Sequence, residues 1–271
     1  MIESETSASA IDTERPHVAR VWNYFLGGKD HYEVDRRAGD ETMQKLPEVV
    51  ALARQSRAFL VRAVSYLAGE AGVGQFLDIG TGLPTHDNTH QIAQRANPEA
   101  RILYADNDPL VLAHARALLT STPEGACDYI HADLRDPVHL IRQAEELLDF
   151  SRPVAVTLMG ILEFIPDQAQ AVQIVDHLRS RLCPGSYIAL YATTDHVNGE
   201  RVRQAVQLWN QSAPAPMTIR TIDQIAELLR GLRLIEPGLV PMHQWRPFRP
   251  DALGPPVDAY AGVGIVPARG C

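Results

Sequence analysis

Beyond residue 75, short apolar segments alternate with segments of helical periodicity, and this alternation constrains the fold more than any other feature of the chain. The predicted strands are 75–80, 101–105, 127–132, 154–158 and 186–191, and the predicted helices between them are 88–95, 110–119, 138–147 and 168–182. Such an order predicts an α/β fold built on a doubly wound, mostly parallel sheet. Later segments predict helices at 200–212 and 222–229 and closing strands at 234–237 and 260–266, which brings the sheet to seven strands.

The N-terminal part of the chain lacks this alternation. Residues 1–15 are polar and are predicted to form a disordered leader. Residues 16–72 are predicted to be mainly helical, because apolar side chains recur at helical spacing in 18–25 and again in 50–67. We therefore expect an N-terminal helical cover over 16–72 and a main domain over 73–271.

Charge and cysteine usage narrow the class of function. The formal net charge of −8 argues against a nucleic-acid substrate, since such enzymes usually carry a basic surface. No segment approaches the ~18 consecutive apolar residues of a membrane span, and the first residues do not resemble a signal peptide. Cys127, Cys183 and Cys271 lack metal-ligand spacing, so we expect reduced thiols, no metal site and a cytoplasmic protein.

The first predicted strand runs into the turn Asp78-Ile79-Gly80-Thr81-Gly82. In doubly wound sheets, ligands bind beyond the carboxyl ends of the strands, and glycines let the backbone approach them closely. A carboxylate two positions before the first glycine suits a cation, such as the ammonium and sulfonium groups of S-adenosylmethionine (SAM). A dinucleotide fingerprint would place its third glycine at residue 85, where this chain has Thr85 after Pro84. The turn therefore favours SAM over NAD.

Two further carboxylates follow the next two strands. Asp106 comes 28 residues after Asp78 and precedes Asn107. A carboxylate there can accept hydrogen bonds from both ribose hydroxyls of a bound nucleoside, in SAM and NAD sites alike. Asp133, which precedes Leu134, is placed to accept a hydrogen bond from the adenine amino group. We expect all four residues after these strands to contact the cofactor.

The fourth predicted strand leads through Met159 and Gly160 to Glu163. Gly160 can let the backbone pass close to the adenosyl group or to the substrate, and we expect Met159 to contact the cofactor with it. Glu163 is the one ionisable residue between Leu158 and Pro166. It is a candidate general base or substrate contact, with a solvated loop carboxylate as the alternative.

Motifs at the ends of four successive strands resemble those of class I SAM-dependent methyltransferases, which have a Rossmann-like fold. The segment Ala19–Tyr32, with its Gly27-Gly28-Lys29-Asp30 block, is similar to the signature of an actinobacterial SAM-dependent methyltransferase family that was formerly a domain of unknown function. Segments 76–85, 104–119 and 236–241 are similar to it as well. The resemblance runs from about residue 15 to the C-terminus. Position 163 departs from it, because many members carry histidine there.

The resemblance implies SAM as the cofactor and Gly80, Gly82, Asp106 and Asp133 among the residues that bind it. It also implies that the N-terminal helices cover the cofactor. Residues of the cover that would then reach the site are Tyr24, Gly28, Lys29 and His31, together with Arg57 as the partner of the SAM carboxylate.

We therefore expect methyl transfer from SAM to an unidentified small-molecule acceptor. The alternatives are a SAM-binding protein that transfers no methyl group and, less favoured, an NAD-dependent oxidoreductase. If the acceptor must lose a proton, the candidate bases are His31, His86 and Glu163. The acceptor pocket is expected between the N-terminal cover and residues 193–256, where the candidate lining residues are Trp209, Met217, His243 and Trp245.

Overall fold

A computed structural model describes residues 12–118, 120–213, 215–249 and 253–268 of the 271-residue chain. Three helices precede the sheet: α1 (Val18–Phe25), α2 (Glu33–Lys45) and α3 (Val49–Ser65), the last continuing into a π-helical turn at Tyr66–Glu70. Asp35 closes the start of α2, because its carboxylate accepts a hydrogen bond from the backbone N–H of Tyr32.

The remaining elements confirm the predicted α/β fold. The strands are β1 (Gln75–Ile79), β2 (Arg101–Asp106), β3 (Ala126–His131), β4 (Ala155–Met159), β5 (Tyr187–Thr193), β6 (Arg233–Leu234), β7 (Val240–Pro241) and β8 (Ala259–Ile265). The helices are α4 (Thr89–Ala96), α5 (Pro109–Leu118), α6 (Pro137–Ala144), α7 (Gln168–Arg181), α8 (Glu200–Ser212) and α9 (Ile222–Leu228). Short 3₁₀ turns lie at Leu162–Phe164 and Met242–Gln244.

The strands form one sheet in the order β3-β2-β1-β4-β5-β8-β6, and β7 also pairs with β8. β1 to β5 run parallel, and β8 is antiparallel to β5, β6 and β7. The described residues thus give eight strands, one more than predicted, because the two-residue strand β7 is too short for sequence periodicity to reveal. β1 lies between β2 and β4, and the carboxyl ends of β1 to β4 meet at one edge of the sheet.

Alternation along β1 shows why helices cover both faces. Phe76 packs in a cluster with Phe59 of α3 and Ile92 of α4. Leu77, the next residue, packs in a second cluster with Leu140 of α6 and Ile174 of α7. Successive side chains of a strand point to opposite faces, so a strand buried on both sides is apolar at nearly every position.

A third, smaller apolar cluster joins α1, the end of α2, the first turns of α3, and α8. It includes Val21 and Phe25 of α1, Leu46 at the end of α2, and Val202 and Ala205 of α8. We call α1, α2 and α8 the cover. The sequence predicted a helical cover over 16–72. Most buried residues of α3 belong to the first cluster with the sheet, although its first turns join the third cluster, and α8 adds to the cover from later in the chain.

A buried ion pair holds the cover together internally. Arg20 of α1 donates from Nε to the carboxylate of Asp35 of α2, and both side chains are almost fully buried. The Arg20 guanidinium also donates to the backbone carbonyls of Asp12 and Arg15. Residues 12–15 are therefore tied to α1 where the sequence predicted a disordered leader, and residues 1–11 lie outside the described residues. Among the described residues, none of the helices is long and apolar enough to cross a bilayer.

Candidate cofactor site and acceptor cavity

A cavity of about 290 Å³ lies between the carboxyl ends of the parallel strands and the cover. It brings together most of the site residues that the sequence predicted. Those lining it are Arg57, Asp78, Gly80, Thr81, Gly82, Asp106, Asn107, Asp133, Leu134, Met159, Gly160, Glu163, Trp209 and Met217. We call the part formed by the segments after β1 to β4 the strand-end wall.

Asp78 is fixed within the strand-end wall by two hydroxyl groups. Thr157 of β4 donates to Oδ1 at 2.5 Å, and Thr89 at the start of α4 donates to Oδ2 at 2.6 Å. Burial raises the pKa of Asp78, while these hydrogen bonds and the nearby Arg57 cation oppose that shift. The carboxylate is therefore held rigidly near the end of β1. Because little water surrounds it there, it would interact strongly with a charge on a ligand.

Three glycines shape the turns beside Asp78. Gly80, Gly82 and Gly160 all have a positive φ, near +73°, +63° and +73°. A Cβ atom at Gly160 would lie 2.5 Å from the hydroxyl of Tyr191. At Gly82, by contrast, a Cβ atom would meet nothing within 4 Å among the described residues. Backbone conformation therefore demands glycine at all three positions, and at Gly82 it leaves open space where a ligand can approach.

Asp106 is the last residue of β2 and is hydrogen-bonded to the turn that follows β1. Its Oδ2 accepts from the backbone N–H of Gly82 at 2.9 Å, and its Oδ1 accepts from the N–H of Asp108 at 3.0 Å. Burial raises the pKa of Asp106, and both backbone hydrogen bonds counter that shift. Each carboxylate oxygen can accept a further hydrogen bond, so this geometry leaves acceptor capacity for a diol.

Asp133 occupies the end of β3 in a more exposed setting. Its carboxylate accepts from the side-chain amide of Asn107 at 3.1 Å and pairs with the guanidinium of Arg135. These contacts, Arg135 foremost, lower the pKa of Asp133 to about 2. Because both partners are partly exposed, the pair is worth at most about 1 kcal/mol, and a ligand group can replace the arginine.

Arg57 reaches the site from α3. Its Nη2 donates to the backbone carbonyls of His86 and Asp87, at 3.0 and 2.7 Å, in the segment that precedes α4. Burial lowers the pKa of Arg57, and the carboxylate of Asp78 is the largest opposing influence. The guanidinium therefore places a positive charge beside the Asp78 turn.

Glu163 lines the cavity from the 3₁₀ turn after β4. It is 5% exposed, so the solvated loop carboxylate considered from the sequence is excluded. The backbone N–H and the hydroxyl of Thr193 both donate to its Oε1, at 2.9 and 2.6 Å. Burial raises the pKa of Glu163 to about 7, against the opposing effects of Thr193 and of the Arg220 cation.

Several predicted residues do not reach the cavity. Tyr24 turns away and donates to Asp40 of α2 at 2.6 Å, and the ring of His31 packs edge-on against it at 5.0 Å. Gly28 lies beneath Asn23, whose side-chain oxygen accepts from the N–H of Asp30, so a side chain at position 28 would collide with Asn23. The Gly27–Asp30 block thus shapes the connection between α1 and α2.

Two further histidines and one tryptophan that the sequence predicted at the site also lie outside the cavity lining. His86 is exposed and does not line the cavity, and its backbone carbonyl accepts hydrogen bonds from Arg57 and from the hydroxyl of Thr85. Trp245 is fully buried in the core against Phe59, and His243 lies beside it in the same 3₁₀ segment. Neither lines the cavity. These positions depend on long-range packing, which spacing in the sequence does not encode.

Sequence reasoning missed the inner face of the cover and one end of β5. Residues of the cover that line the cavity include His17, Val21, Trp22, Asn23, Phe25 and Val206, and β5 contributes Tyr191 and Thr193. Helical spacing identified 18–25 as amphipathic, which was the available signal for the α1 residues. Thr193 carried no such signal, because its contact with Glu163 joins the end of β5 to the turn after β4, 30 residues away in sequence.

The strand-end wall fits SAM in its chemistry. Three carboxylates at adjacent strand ends supply acceptors for hydroxyl, amino and ammonium groups, and Arg57 supplies a donor for a carboxylate. The open space at Gly82 adds room for a close backbone approach. In the described part of the chain, no cluster of three His, Cys, Asp or Glu side chains is arranged to hold a metal ion.

Comparison with known proteins identifies the family of this chain. The family model described as S-adenosyl methyltransferase matches residues 4–267. A DUF574 family protein of Streptomyces avermitilis MA-4680 is 40% identical, with a TM-score of 0.88 over 94% of this chain and 99% of that one. A candidate methyltransferase of Thermobifida fusca YX is 36% identical, with a TM-score of 0.87 over 98% of this chain and 100% of that one. No curated protein matches the chain significantly.

More distant structures share the fold alone. Human N-acetylserotonin methyltransferase, solved in complex with SAM, is 13% identical, with a TM-score of 0.52 over 94% of this chain and 63% of that one. The family match disfavours the NAD-dependent alternative that the sequence left open. The chain belongs to the S-adenosyl methyltransferase family, and it is a SAM-dependent methyltransferase of class I fold.

Proposed function

We propose that this enzyme transfers the methyl group of SAM to a small molecule held between the strand-end wall and the cover. The observation that carries this proposal is the single cavity that joins two chemically different walls. One wall is rich in fixed carboxylates, and the other is apolar and formed by side chains such as Trp22, Phe25 and Trp209. A cavity of this kind suits a polar donor on one side and a small apolar acceptor on the other.

We assign the residues of the strand-end wall to parts of SAM. Asp106 accepts from the ribose hydroxyls, and Asp133 accepts from the adenine amino group once Arg135 moves aside. Asp78 attracts the ammonium group, and Arg57 binds the carboxylate. The turns at Gly80–Gly82 and Met159–Gly160, with Asn107 and Leu134, close around the nucleoside.

The protein promotes methyl transfer mainly by aligning the acceptor with the methyl group. SAM supplies an already activated methyl group, so the residues act by positioning the acceptor in line and by excluding water. The cover supplies that exclusion, because its inner face is mostly apolar and the Arg20–Asp35 pair ties α1 to α2.

Calorimetric titration tests the proposal. We expect wild-type protein to bind SAM and S-adenosylhomocysteine but not NAD, and we expect the Asp106→Asn variant to bind both adenosyl ligands more weakly. If SAM binds but none of the small-molecule acceptors tested leads to release of S-adenosylhomocysteine, the alternative of a SAM-binding protein that transfers no methyl group is favoured.

A further inference from the structure

We infer that Glu163 takes the proton from a neutral aromatic hydroxyl or amine during methyl transfer, so that the acceptor is an uncharged aromatic molecule with such a group. This inference rests on the proposed function and deepens it. It depends on how Glu163 is held, on its place in the cavity, and on the charge of the surrounding walls.

The way Glu163 is held leaves one oxygen free for a substrate. Both donors from Thr193 reach Oε1, and no described residue donates to Oε2. Asp78 and Asp106 differ, because in each of them both oxygens accept hydrogen bonds from the protein. Among the described residues, Glu163 is therefore the buried carboxylate of the cavity in which one oxygen is fixed by hydrogen bonds and the other accepts none from the protein.

Neighbouring backbone contacts fix the position of Glu163. Its carbonyl accepts from the N–H of Thr218 at 2.8 Å. Arg220 donates to the carbonyls of Leu162 and Ile165, at 2.7 and 2.6 Å, and so clamps the 3₁₀ turn on both sides of the residue. A group restrained in this way meets the geometric requirement for proton transfer, which is a fixed approach within hydrogen-bond reach.

The charged and titratable groups around Glu163 suit a base. Arg220 faces it from the segment before α9 and favours the carboxylate form. Tyr191 faces it from β5, and burial raises the pKa of that phenol well above its ordinary value, so it stays neutral. With a pKa of about 7, Glu163 is ionised to a useful extent near neutral pH and still basic enough to accept a proton.

The lining of the cavity that Glu163 shares favours an uncharged acceptor. Residues of the cover and of the following loop that line this cavity are Trp22, Phe25, Val206, Trp209 and Met217. His17 is the one ionisable side chain that the described cover presents to the cavity, and it is 2.9 Å from Asp108. The carboxylates of the cavity would repel an anionic acceptor, and a protonated amine has no electron pair with which to attack the methyl group. An uncharged aromatic ring packs well against the apolar side chains.

The step balances without a further reactant. The acceptor O–H or N–H bond breaks and its proton passes to Oε2 of Glu163. The electron pair left on oxygen or nitrogen forms the new bond to the methyl carbon, and the electron pair of the C–S bond returns to sulfur, which becomes the neutral thioether of S-adenosylhomocysteine. Glu163 then returns the proton to solvent.

Infrared difference spectroscopy tests the ionisation of Glu163 independently of turnover. We expect the complex with S-adenosylhomocysteine to show a protonated carboxyl band that disappears on titration with a midpoint near pH 7 and is missing from the Glu163→Gln variant. The variant isolates Glu163 from the other buried carboxylates. A Glu163 band that disappears near the ordinary glutamate range, about pH 4.3, would overturn the inference.

Turnover tests the acceptor class and the role together. The assay compares three proteins: wild type, Glu163→Gln and the exposed control Glu99→Gln. Each is incubated with SAM and one of four compounds, 4-methylphenol, 2-naphthol, 4-methylaniline or 4-methylbenzoate. The amounts of S-adenosylhomocysteine and of methylated product are then measured. We expect wild type and the control to methylate a phenol or aniline but not the benzoate. Glu163→Gln should be about 100- to 10,000-fold slower, with unchanged SAM affinity and without the rise in rate through pH 7.

The outcomes separate this inference from the proposed function. Failure of wild type to bind SAM would refute the proposed function itself. If wild type binds SAM but methylates none of the neutral compounds, or prefers the benzoate, the acceptor class is wrong. If Glu163→Gln keeps the wild-type rate and pH profile, Glu163 is no base. Thr193→Val gives a second variant, since it removes one hydrogen bond to Oε1, and we expect it to lower kcat with little change in SAM affinity.

Discussion

The two walls of the cavity are stabilised in different ways. In the strand-end wall, Asp78 and Asp106 are held by several hydrogen bonds from neighbouring strands and turns. In the cover, a small apolar cluster and the buried Arg20–Asp35 pair carry most of the organisation. The strand-end wall is therefore preorganised by the sheet, whereas the position of the cover depends on a few interactions.

The largest expected effect comes from breaking the buried pair of the cover. Removing one partner of a buried ion pair leaves an uncompensated charge, so we expect Asp35→Asn to lower the free energy of unfolding by about 3–5 kcal/mol. Glu33→Gln, in an exposed pair on the same helix, should change it by less than about 1 kcal/mol. Urea denaturation measures both. A loss below about 1 kcal/mol for Asp35→Asn would mean that the pair does not hold the cover.

A pH effect on stability should single out Glu163. Its pKa is raised to about 7 in the folded protein, so the protonated form is favoured by folding. The stabilisation is fully present below the unfolded glutamate pKa of about 4.3 and is lost as pH rises through 7. From pH 5 to pH 8 we expect wild type to lose roughly 2–3 kcal/mol relative to Glu163→Gln, measured by urea denaturation at each pH. Parallel curves for the two proteins would contradict this.

Within the strand-end wall, Asp106 should matter most for the cofactor. We expect Asp106→Asn to raise the Kd for SAM by about 10- to 100-fold, because it replaces a charged acceptor of hydrogen bonds by a neutral one. Asp128→Asn, at an exposed position on β3, should leave the Kd within about twofold. Calorimetry decides the comparison, and equal affinities for the two variants would remove Asp106 from the ribose site.

The smallest effect is expected at the exposed edge of the same wall. Arg135→Ala removes the partner of Asp133, but the pair is partly solvated, so the free energy of unfolding should change by less than about 1 kcal/mol. The Kd for SAM should stay the same or fall slightly, since Asp133 is then free for the adenine amino group. A Kd raised tenfold would show instead that Arg135 itself contacts the cofactor.

Predictions from the sequence were strongest where local order fixes position. The strand and helix alternation after residue 75 predicted β1 to β5. The glycines after β1 and β4 predicted tight turns there, and the structure gives Gly80, Gly82 and Gly160 a positive φ. Because the carboxyl ends of neighbouring parallel strands meet at one edge, three aspartates at successive strand ends predicted one site. Asp78, Asp106 and Asp133 do line one cavity.

Predictions were weakest where helix packing decides which face points inward. His31 and Tyr24 lie in the most distinctive segment of the chain, yet they pack against each other and against α2 outside the cavity lining. Trp209 lines the cavity and Trp245 lies in the core, although both are aromatic residues in the same C-terminal region. Spacing along the chain cannot distinguish such cases, because the contacts involve residues far apart in sequence.

The sequence by itself thus determined the α/β order, the turns at the strand ends and the acidic character of the cofactor wall, since each depends on local periodicity or on parallel pairing. Tertiary structure alone decided that α8 joins α1 and α2 over the cavity, and that Glu163 is buried against Thr193 rather than solvated. The physical reason is burial. The pKa of a carboxyl group and the face a helix presents depend on what packs against them, and those neighbours come from distant parts of the chain.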